Sequence, residues 1–398
     1  MTTLLISNVF PPGTGGSGRW FWELYRRLPR KEYVIAAGDC RDAAEFDLTH
    51  DLQLDRLPLA FDSWGILGWS SSISYYRAWR SLKQIVRTRK VQVVHAGCAL
   101  PEGWLAWLLH RRYGLPYAVY VHGEELQVFR TSRELTWMAR RVFRDAQLVI
   151  ANSENTAALL RSSWPVSPTA LKVFHPGVDT HFFQPAPFSS QVREQLGWFD
   201  RPVILTVGRL QKRKGHDVLI DALPAVKAAI PDVLYAVIGE GAERTKLERL
   251  VEARRLHDDV IFHGAVDDDL MRTAYQQCNL FALPNREVDR DFEGFGLVLL
   301  EAQACGRPVI SGLSGGTTET LASGATGEAI DCTDAETLAT KLISMLGDRA
   351  RLERMGVAAR NWTVEHFDWS SLAARAPQVF ALRNESAQPL SRHLANHT

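Results

Sequence analysis

The sequence predicts an α/β protein built from two Rossmann-like domains that face each other across a cleft. Three observations predict it. The chain has 398 residues, too many for one ordinary domain and about right for two. Strand-like apolar runs alternate with amphipathic helical runs, the βαβ pattern of a parallel sheet covered by helices. Past a Pro- and Ser-rich stretch, the same alternation starts afresh.

The first series of strands is expected at residues 4–9, 33–37, 91–95, 117–121 and 148–151, with helical patterns between them. The stretch His181-Phe-Phe-Gln-Pro-Ala-Pro-Phe-Ser-Ser190 reads as linker, which divides the chain into a first domain at 1–180, a connection at 181–200 and a second domain at 201–368. Strands of the second series fall at 202–207, 233–238, 260–262, 280–283 and 308–311. A last helical pattern at 369–383 follows after the second domain has used its strands, so it is expected to cross back onto the first domain. The polar tail 384–398 reads as disordered.

Formal charge is +1, with 46 Lys and Arg against 45 Asp and Glu, which argues against a nucleic-acid binder held by a large basic field. Cys40, Cys98, Cys278, Cys305 and Cys332 are scattered, without a close pair or a His at metal-ligand spacing. They read as reduced, buried thiols of a cytoplasmic protein. The first ten residues carry no basic leader and read as a strand, and no run approaches the roughly 18 apolar residues of a spanning helix. The protein is expected to be soluble or peripheral.

The segment Asp291-Phe-Glu-Gly-Phe-Gly-Leu-Val-Leu-Leu-Glu-Ala-Gln-Ala-Cys-Gly306 is the most informative. It sets Glu293 in a turn with Gly294, Phe295 and Gly296, then opens a helix at Leu297 and Val298 that carries Glu301. Glycines admit a ligand close to the backbone, the free N–H groups of a helix start favour a diphosphate, and flanking carboxylates can take sugar or ribose hydroxyls. Core packing accounts for the aliphatic residues but not for the two acids.

Five other motifs sit at strand ends, where parallel sheets bind ligands. Gly13-Thr-Gly-Gly-Ser-Gly18 follows the first strand, so Gly15 and Gly16 are candidate phosphate or sugar contacts. With Asp39 about twenty residues on, the same loop also admits a nicotinamide dinucleotide. Gly208-Arg-Leu-Gln-Lys-Arg-Lys-Gly215 offers Arg209 and Lys214 as the cations for a leaving nucleoside diphosphate, with Lys212 and Arg213 read as solvated surface residues. Gly239 and His263 end two further strands of that sheet and would wall a base. His122, ahead of Gly123, would face the cleft from the first domain. The runs Asp267-Asp-Asp269 and Asp289-Arg-Asp291 have the form of metal sites but read as a helix cap and a charged loop.

Residues 64–101 hold Arg77, Arg80, Lys83, Arg87, Arg89 and Lys90 and no acid before position 102, among Trp64, Trp69, Tyr75, Tyr76 and Trp79. With Trp20 and Trp22, this reads as a cationic aromatic surface able to rest on anionic lipid.

Taken together, these residues resemble the retaining glycosyltransferases of family 4, which have the GT-B fold. The likeness covers nearly the whole chain and is strongest from 203 to 319, with 300–306 and 314–316 most like bacterial phosphatidylinositol-mannoside-type mannosyltransferases. The resemblance implies that Arg209 and Lys214 bind the donor diphosphate, helped by Gly15, Gly16 and the backbone at Leu297 and Val298. It implies that Glu293 holds sugar hydroxyls, Glu301 the ribose, His122 the donor sugar near its 6-hydroxyl, and the backbone near His263 the base. No metal or other cofactor is expected. A departure is Thr317-Thr-Glu319, where relatives usually have Pro at 318. The expected activity is transfer of mannose or glucose from GDP-mannose or UDP-glucose to a lipid-linked or glycan hydroxyl in glycolipid or polysaccharide synthesis. A nicotinamide-dependent nucleotide-sugar enzyme and a non-catalytic sugar-binding protein of the membrane surface are the alternatives.

Overall fold

The structure, a computed structural model, describes residues 1–13, 15–289 and 291–381. The expected tail at 384–398, and the last two residues of the expected crossing helix, lie outside the described residues. Two parallel sheets are present. The first runs β3-β2-β1-β4-β5-β6-β7 and is formed by β1 (Thr3–Ser7), β2 (Tyr33–Gly38), β3 (Gln53–Leu57), β4 (Val93–Ala96), β5 (Tyr117–Val121), β6 (Leu148–Ala151) and β7 (Leu171–Val173). The second runs β10-β9-β8-β11-β12-β13, from β8 (Val203–Val207), β9 (Leu234–Ile238), β10 (Val260–Gly264), β11 (Leu280–Leu283), β12 (Val309–Gly312) and β13 (Gly327–Ile330). This is the expected pair of Rossmann-like domains.

Central strands such as β5 and β9 are buried along their whole length. Helices cover both faces of each sheet, which is why these strands read as continuous apolar runs. Three strands escaped the sequence reading, β3, β7 and β13, and all lie at sheet edges. They are short and half-buried, and β3 carries Asp55 and Arg56, so little apolar signal marks them.

The stretch between the sheets differs from the expected linker. Phe183, Leu196 and Trp198 are buried in the second domain's core, and a short helix, Ser190–Gln195, is capped by the Ser189 hydroxyl. Pro and Ser mark where the chain turns here, while Trp198 anchors it.

The helix Trp369–Phe380 packs Trp369, Leu372, Ala376 and Phe380 among Leu5, Trp20, Tyr25 and Tyr120 of the first domain. Asp368 starts it, accepting from the Ser370 N–H at 2.8 Å and the Thr180 hydroxyl at 2.5 Å. Lys172 ties its end by donating to the Val379 carbonyl at 2.7 Å.

Candidate functional site

Strand order reverses direction between β1 and β4 in the first sheet and between β8 and β11 in the second. Loops leaving these strands diverge and open a crevice at each reversal, the place where open α/β sheets bind ligands. Both crevices open on one cavity of about 1070 Å³. Its lining includes Gly13, Gly15 and Gly16 from the loop after β1, Gly208 and Arg209 after β8, and 293–298 after β11.

Glycines shape the backbone on both sides of the cavity. Gly15 has φ 153° and precedes the helix Gly16–Tyr25, so the first loop turns sharply into that helix start. A Cβ on Gly294 would lie 2.5 Å from the His122 carbonyl oxygen of the other domain, so only glycine permits this approach. Gly296, at φ 91°, then precedes the helix Leu297–Ala304, whose first N–H groups at Leu297 and Val298 border the cavity.

Beside that helix start lies a buried charge cluster. Glu293 accepts from Lys214 Nζ at 2.6 Å and from Arg213 at 2.5 Å. Burial pushes the Glu293 carboxyl up, but Lys214 and Arg213 together hold it below its ordinary value. Arg213 was expected to be a solvated surface residue, and it is not. Its side chain is 3% exposed and also reaches Asp291 at 3.1 Å and Glu124 at 3.3 Å. The short helical turn Lys212–Lys214 swings 213 and 214 inward and leaves Lys212 outside. A periodic pattern over three residues carries no such signal. Arg209 is exposed on the cavity wall and makes no side-chain ion pair among the described residues.

Glu301 is buried as well, and it is occupied. The Tyr275 hydroxyl donates to it at 2.8 Å, and Arg19 from the first domain donates at 3.0 Å while also reaching Asp268 at 2.6 Å. Burial would lower the Arg19 pKa, but Glu301 and Asp268 carry it above its ordinary value. Nothing in the sequence marks Arg19, because an Arg one residue past a glycine loop has no motif of its own.

His122 lines the cavity from the C-terminal end of β5, with Nε2 2.8 Å from the Gly97 carbonyl and the ring edge-on to Trp20 at 5.5 Å. A carbonyl only accepts, so Nε2 is the donor here, and in the neutral ring Nδ1 is then the acceptor. Asn152 fixes the strand end by donating to the His122 carbonyl at 2.8 Å. Across the domains, Glu319 accepts from the N–H groups of Glu154 and Asn155 and pairs with His175 at 2.8 Å, which holds its carboxyl below the ordinary range despite burial.

Two expected base contacts are not in the cavity lining. Gly239 presses on the Gly208 carbonyl, which a Cβ would approach to 2.0 Å, so its glycine serves packing behind the lining. His263 accepts from the Trp198 indole at 3.0 Å, and burial lowers its pKa. Asp39, the acid a dinucleotide would use, lies outside the lining too. The acid runs are otherwise engaged, with Asp267 capping the helix Asp268–Gln277 and Asp291 on Arg213. Cys40 and Cys98 are half-buried where burial was expected, and the other three thiols are buried.

The aromatic surface is smaller than the sequence suggested. Trp20 and Tyr75 are buried, Trp22 packs on Phe46, and Trp64 lines the cavity. Leu67, Trp69 and Tyr76 are exposed beside Arg77 and Arg80 at the start of the helix Trp69–Thr88. No helix among the described residues is long and apolar enough to cross a membrane.

Paired parallel sheets with a cationic, carboxylate-bearing cavity between their switch points define a two-domain fold suited to a nucleoside diphospho-sugar. Known proteins agree. A family model described as Glycosyl transferases group 1 matches residues 189–362, and one described as Glycosyltransferase Family 4 matches 14–182. The GDP-mannose-dependent alpha-(1-6)-phosphatidylinositol monomannoside mannosyltransferase of Mycolicibacterium smegmatis is 32% identical, over 97% of this chain and 100% of that protein. A GDP-mannose-dependent monoacylated alpha-(1-6)-phosphatidylinositol monomannoside mannosyltransferase of Corynebacterium glutamicum is 30% identical, over 95% and 97%. Among solved structures, HepE of Anabaena in complex with UDP superimposes with a TM-score of 0.79 at 21% identity, over 95% of this chain and 99% of that one. Sucrose-phosphate synthase from Thermosynechococcus elongatus gives 0.78 at 23%, over 96% and 98%. The chain belongs to the family 4 glycosyltransferases and has their GT-B fold.

Proposed function

We propose that the protein transfers mannose from GDP-mannose to a hydroxyl of a lipid-linked or glycan acceptor, with the anomeric configuration retained, in glycolipid or polysaccharide assembly. One observation carries this reading: Arg209, Lys214 and the helix start at Leu297 and Val298 converge with Glu293 and Glu301 on one cavity. The GDP-mannose dependence of the relatives from Mycolicibacterium smegmatis and Corynebacterium glutamicum favours GDP-mannose over UDP-glucose.

In this reading the diphosphate lies against Arg209, Lys214 and the N–H groups at Leu297 and Val298, with Gly15 and Gly16 closing from the other domain. Glu293, held by Lys214, takes sugar hydroxyls, and Glu301 takes the ribose in place of Arg19. Nδ1 of His122 accepts a donor-sugar hydroxyl near its 6-position. The bond from the anomeric carbon to phosphate breaks, its electron pair stays on the diphosphate, and the cations stabilise that charge. The acceptor hydroxyl attacks from the same face and gives its proton to a phosphate oxygen. Fixed cations here take the charge that a metal takes elsewhere, so the reaction needs no divalent ion.

The exposed Leu67, Trp69 and Tyr76 beside Arg77 and Arg80 support peripheral contact with an anionic membrane on the cytoplasmic side. Sedimentation with phosphatidylglycerol vesicles should capture the protein, and Trp69→Ala should release it. The activity itself is tested by following GDP-mannose by proton NMR in the presence of EDTA. An α-mannoside product formed in EDTA is the expected result. A β-mannoside, or turnover abolished by EDTA, would contradict the reading.

A further inference from the structure

Behind the turn that carries Glu293, the two domains meet at a carboxylate that the transfer chemistry leaves idle. Glu319 belongs to the second domain, in the short helical turn Thr317–Thr320, and is absent from the cavity lining. We propose, building on the transferase reading above, that Glu319 is a positioning residue: by gripping the start of the first-domain helix Glu154–Ser163, it holds the donor turn 292–296 in register with the first domain.

A helix start leaves its first N–H groups without partners inside the helix. The Ser153 hydroxyl accepts from one of them, the Thr156 N–H, at 3.1 Å. The N–H groups of Glu154 and Asn155 turn to the other domain instead, donating to Glu319 Oε2 at 2.7 Å and to Oε1 at 2.9 Å. One carboxylate thus answers two backbone donors, and its negative charge faces the positive end of the helix. Oε2 also meets Nε2 of His175 at 2.8 Å, just past β7 on the segment that leaves the first sheet.

Both ends of this contact reach the donor turn. The His175 ring stacks on Phe295 at 5.3 Å and 23°. From the other side, the Gly316 N–H donates to the Glu293 carbonyl at 3.0 Å. The seam has no spare room, since a Cβ on Gly316 would come 2.4 Å from the Gly294 carbonyl oxygen and 2.8 Å from Ser153 Cβ. Hydroxyls stiffen the turn itself: Thr317 donates to the Gly312 carbonyl at 2.9 Å, and Thr320 to the Thr317 carbonyl at 2.7 Å. Glu293 and Glu319 therefore share one firm backing. Without the grip at 154 and 155, the first-domain residues that face the donor, Gly15, Gly16 and His122, lose their fixed distance from it, and a misplacement of about 1 Å is worth about 10²-fold in rate.

The experiment uses the full chain, with GDP-mannose as donor and octyl α-mannoside as acceptor. Glu319→Gln keeps the side chain's shape but sets an amide N–H against one of the two backbone donors. Glu154→Pro breaks the same contact from the first domain and spares the helix. Proline has no N–H, suits the first helical position and requires an extended residue before it, as Ser153 is at φ −157° and ψ 160°. Each variant should lower kcat for transfer about 10- to 100-fold and leave the GDP affinity, read by calorimetry, within about twofold of the unaltered protein. The share of GDP-mannose lost to water as free mannose should rise, because a cleft held less firmly excludes water less well. The double variant should be no more than about threefold worse than either single one, since one contact cannot be lost twice. Unchanged kcat in either variant, losses that multiply in the double variant, or an unchanged split between transfer and hydrolysis would each overturn the inference. So would a loss of GDP affinity that matches the loss of kcat, the mark of a damaged fold. An unaltered protein that binds no GDP, or that transfers nothing to the mannoside, would overturn the transferase reading and the inference with it.

Discussion

Arg209 and Lys214 carry like charge at one cavity, yet their surroundings predict different consequences for removal. Arg209 is exposed and unpaired among the described residues. Arg209→Ala should therefore change stability by no more than about 0.5 kcal/mol, as for surface substitutions generally. If its guanidinium meets the departing diphosphate, turnover should fall about 10²- to 10³-fold, the size found when one preorganised donor to developing charge is removed. Lys214 is 9% exposed in its side chain and lies 2.6 Å from Glu293. Lys214→Ala removes a buried, charge-assisted hydrogen bond worth about 1.5–3 kcal/mol. Glu293 keeps Arg213, so the lower end of that range is expected. Urea unfolding reads the stability of each variant, and the initial rate of GDP release from GDP-mannose reads turnover. Full turnover in Arg209→Ala, or destabilisation equal to that of Lys214→Ala, would refute the reasoning.

Arg19→Ala leaves Glu301 with Tyr275 alone, so the ribose no longer competes with a guanidinium; GDP should bind about three- to tenfold more tightly by calorimetry, since the competing occupied state is gone, whereas weaker binding would place Arg19 on the nucleotide. For Glu293, the folded pKa lies below its ordinary 4.5, so its pairing stabilises fully above that value and is lost as pH falls through the lower folded value. Glu293→Gln should thus flatten the acid-side fall in the urea midpoint between pH 5 and pH 3 that the unaltered protein shows, a range of roughly one to two units around the ordinary carboxyl value. Trp369→Ala should destabilise by about 3–5 kcal/mol in the same urea assay, because the ring is fully buried in the first domain's core.

How legible the molecule was in its sequence follows from what each feature depends on. Buried strands such as β5, β6 and β11 announce themselves because both faces are covered and every residue is apolar. Edge strands β3, β7 and β13 do not, since one side meets water. Site residues tied to backbone demands were also readable: Gly15, Gly296 and the helix start at Leu297 follow from glycine conformations that no other residue adopts cheaply. Side chains whose roles depend on where a distant element lands were not. Arg213 is buried only because Glu293, Glu124 and Asp291 surround it, and Arg19 acquires its role from Glu301, 282 residues away. Conversely, His263 and Gly239 sit at strand ends as expected, yet neither lines the cavity, because His263 turns to the Trp198 indole and Gly239 packs on the Gly208 carbonyl. Such contacts, which no local pattern encodes, decide which strand-end residues reach the cavity.

The most direct test of the central claim is a thermal-shift panel with GDP, UDP, ADP and NAD on the unaltered protein and on Glu301→Ala. A nucleotide at about a hundred times its dissociation constant stabilises by roughly 2.7 kcal/mol, which melting resolves readily. The account predicts a rise with GDP that the Glu301 substitution diminishes, and none with NAD. A rise with NAD alone would contradict it and move the site to the glycine loop after β1.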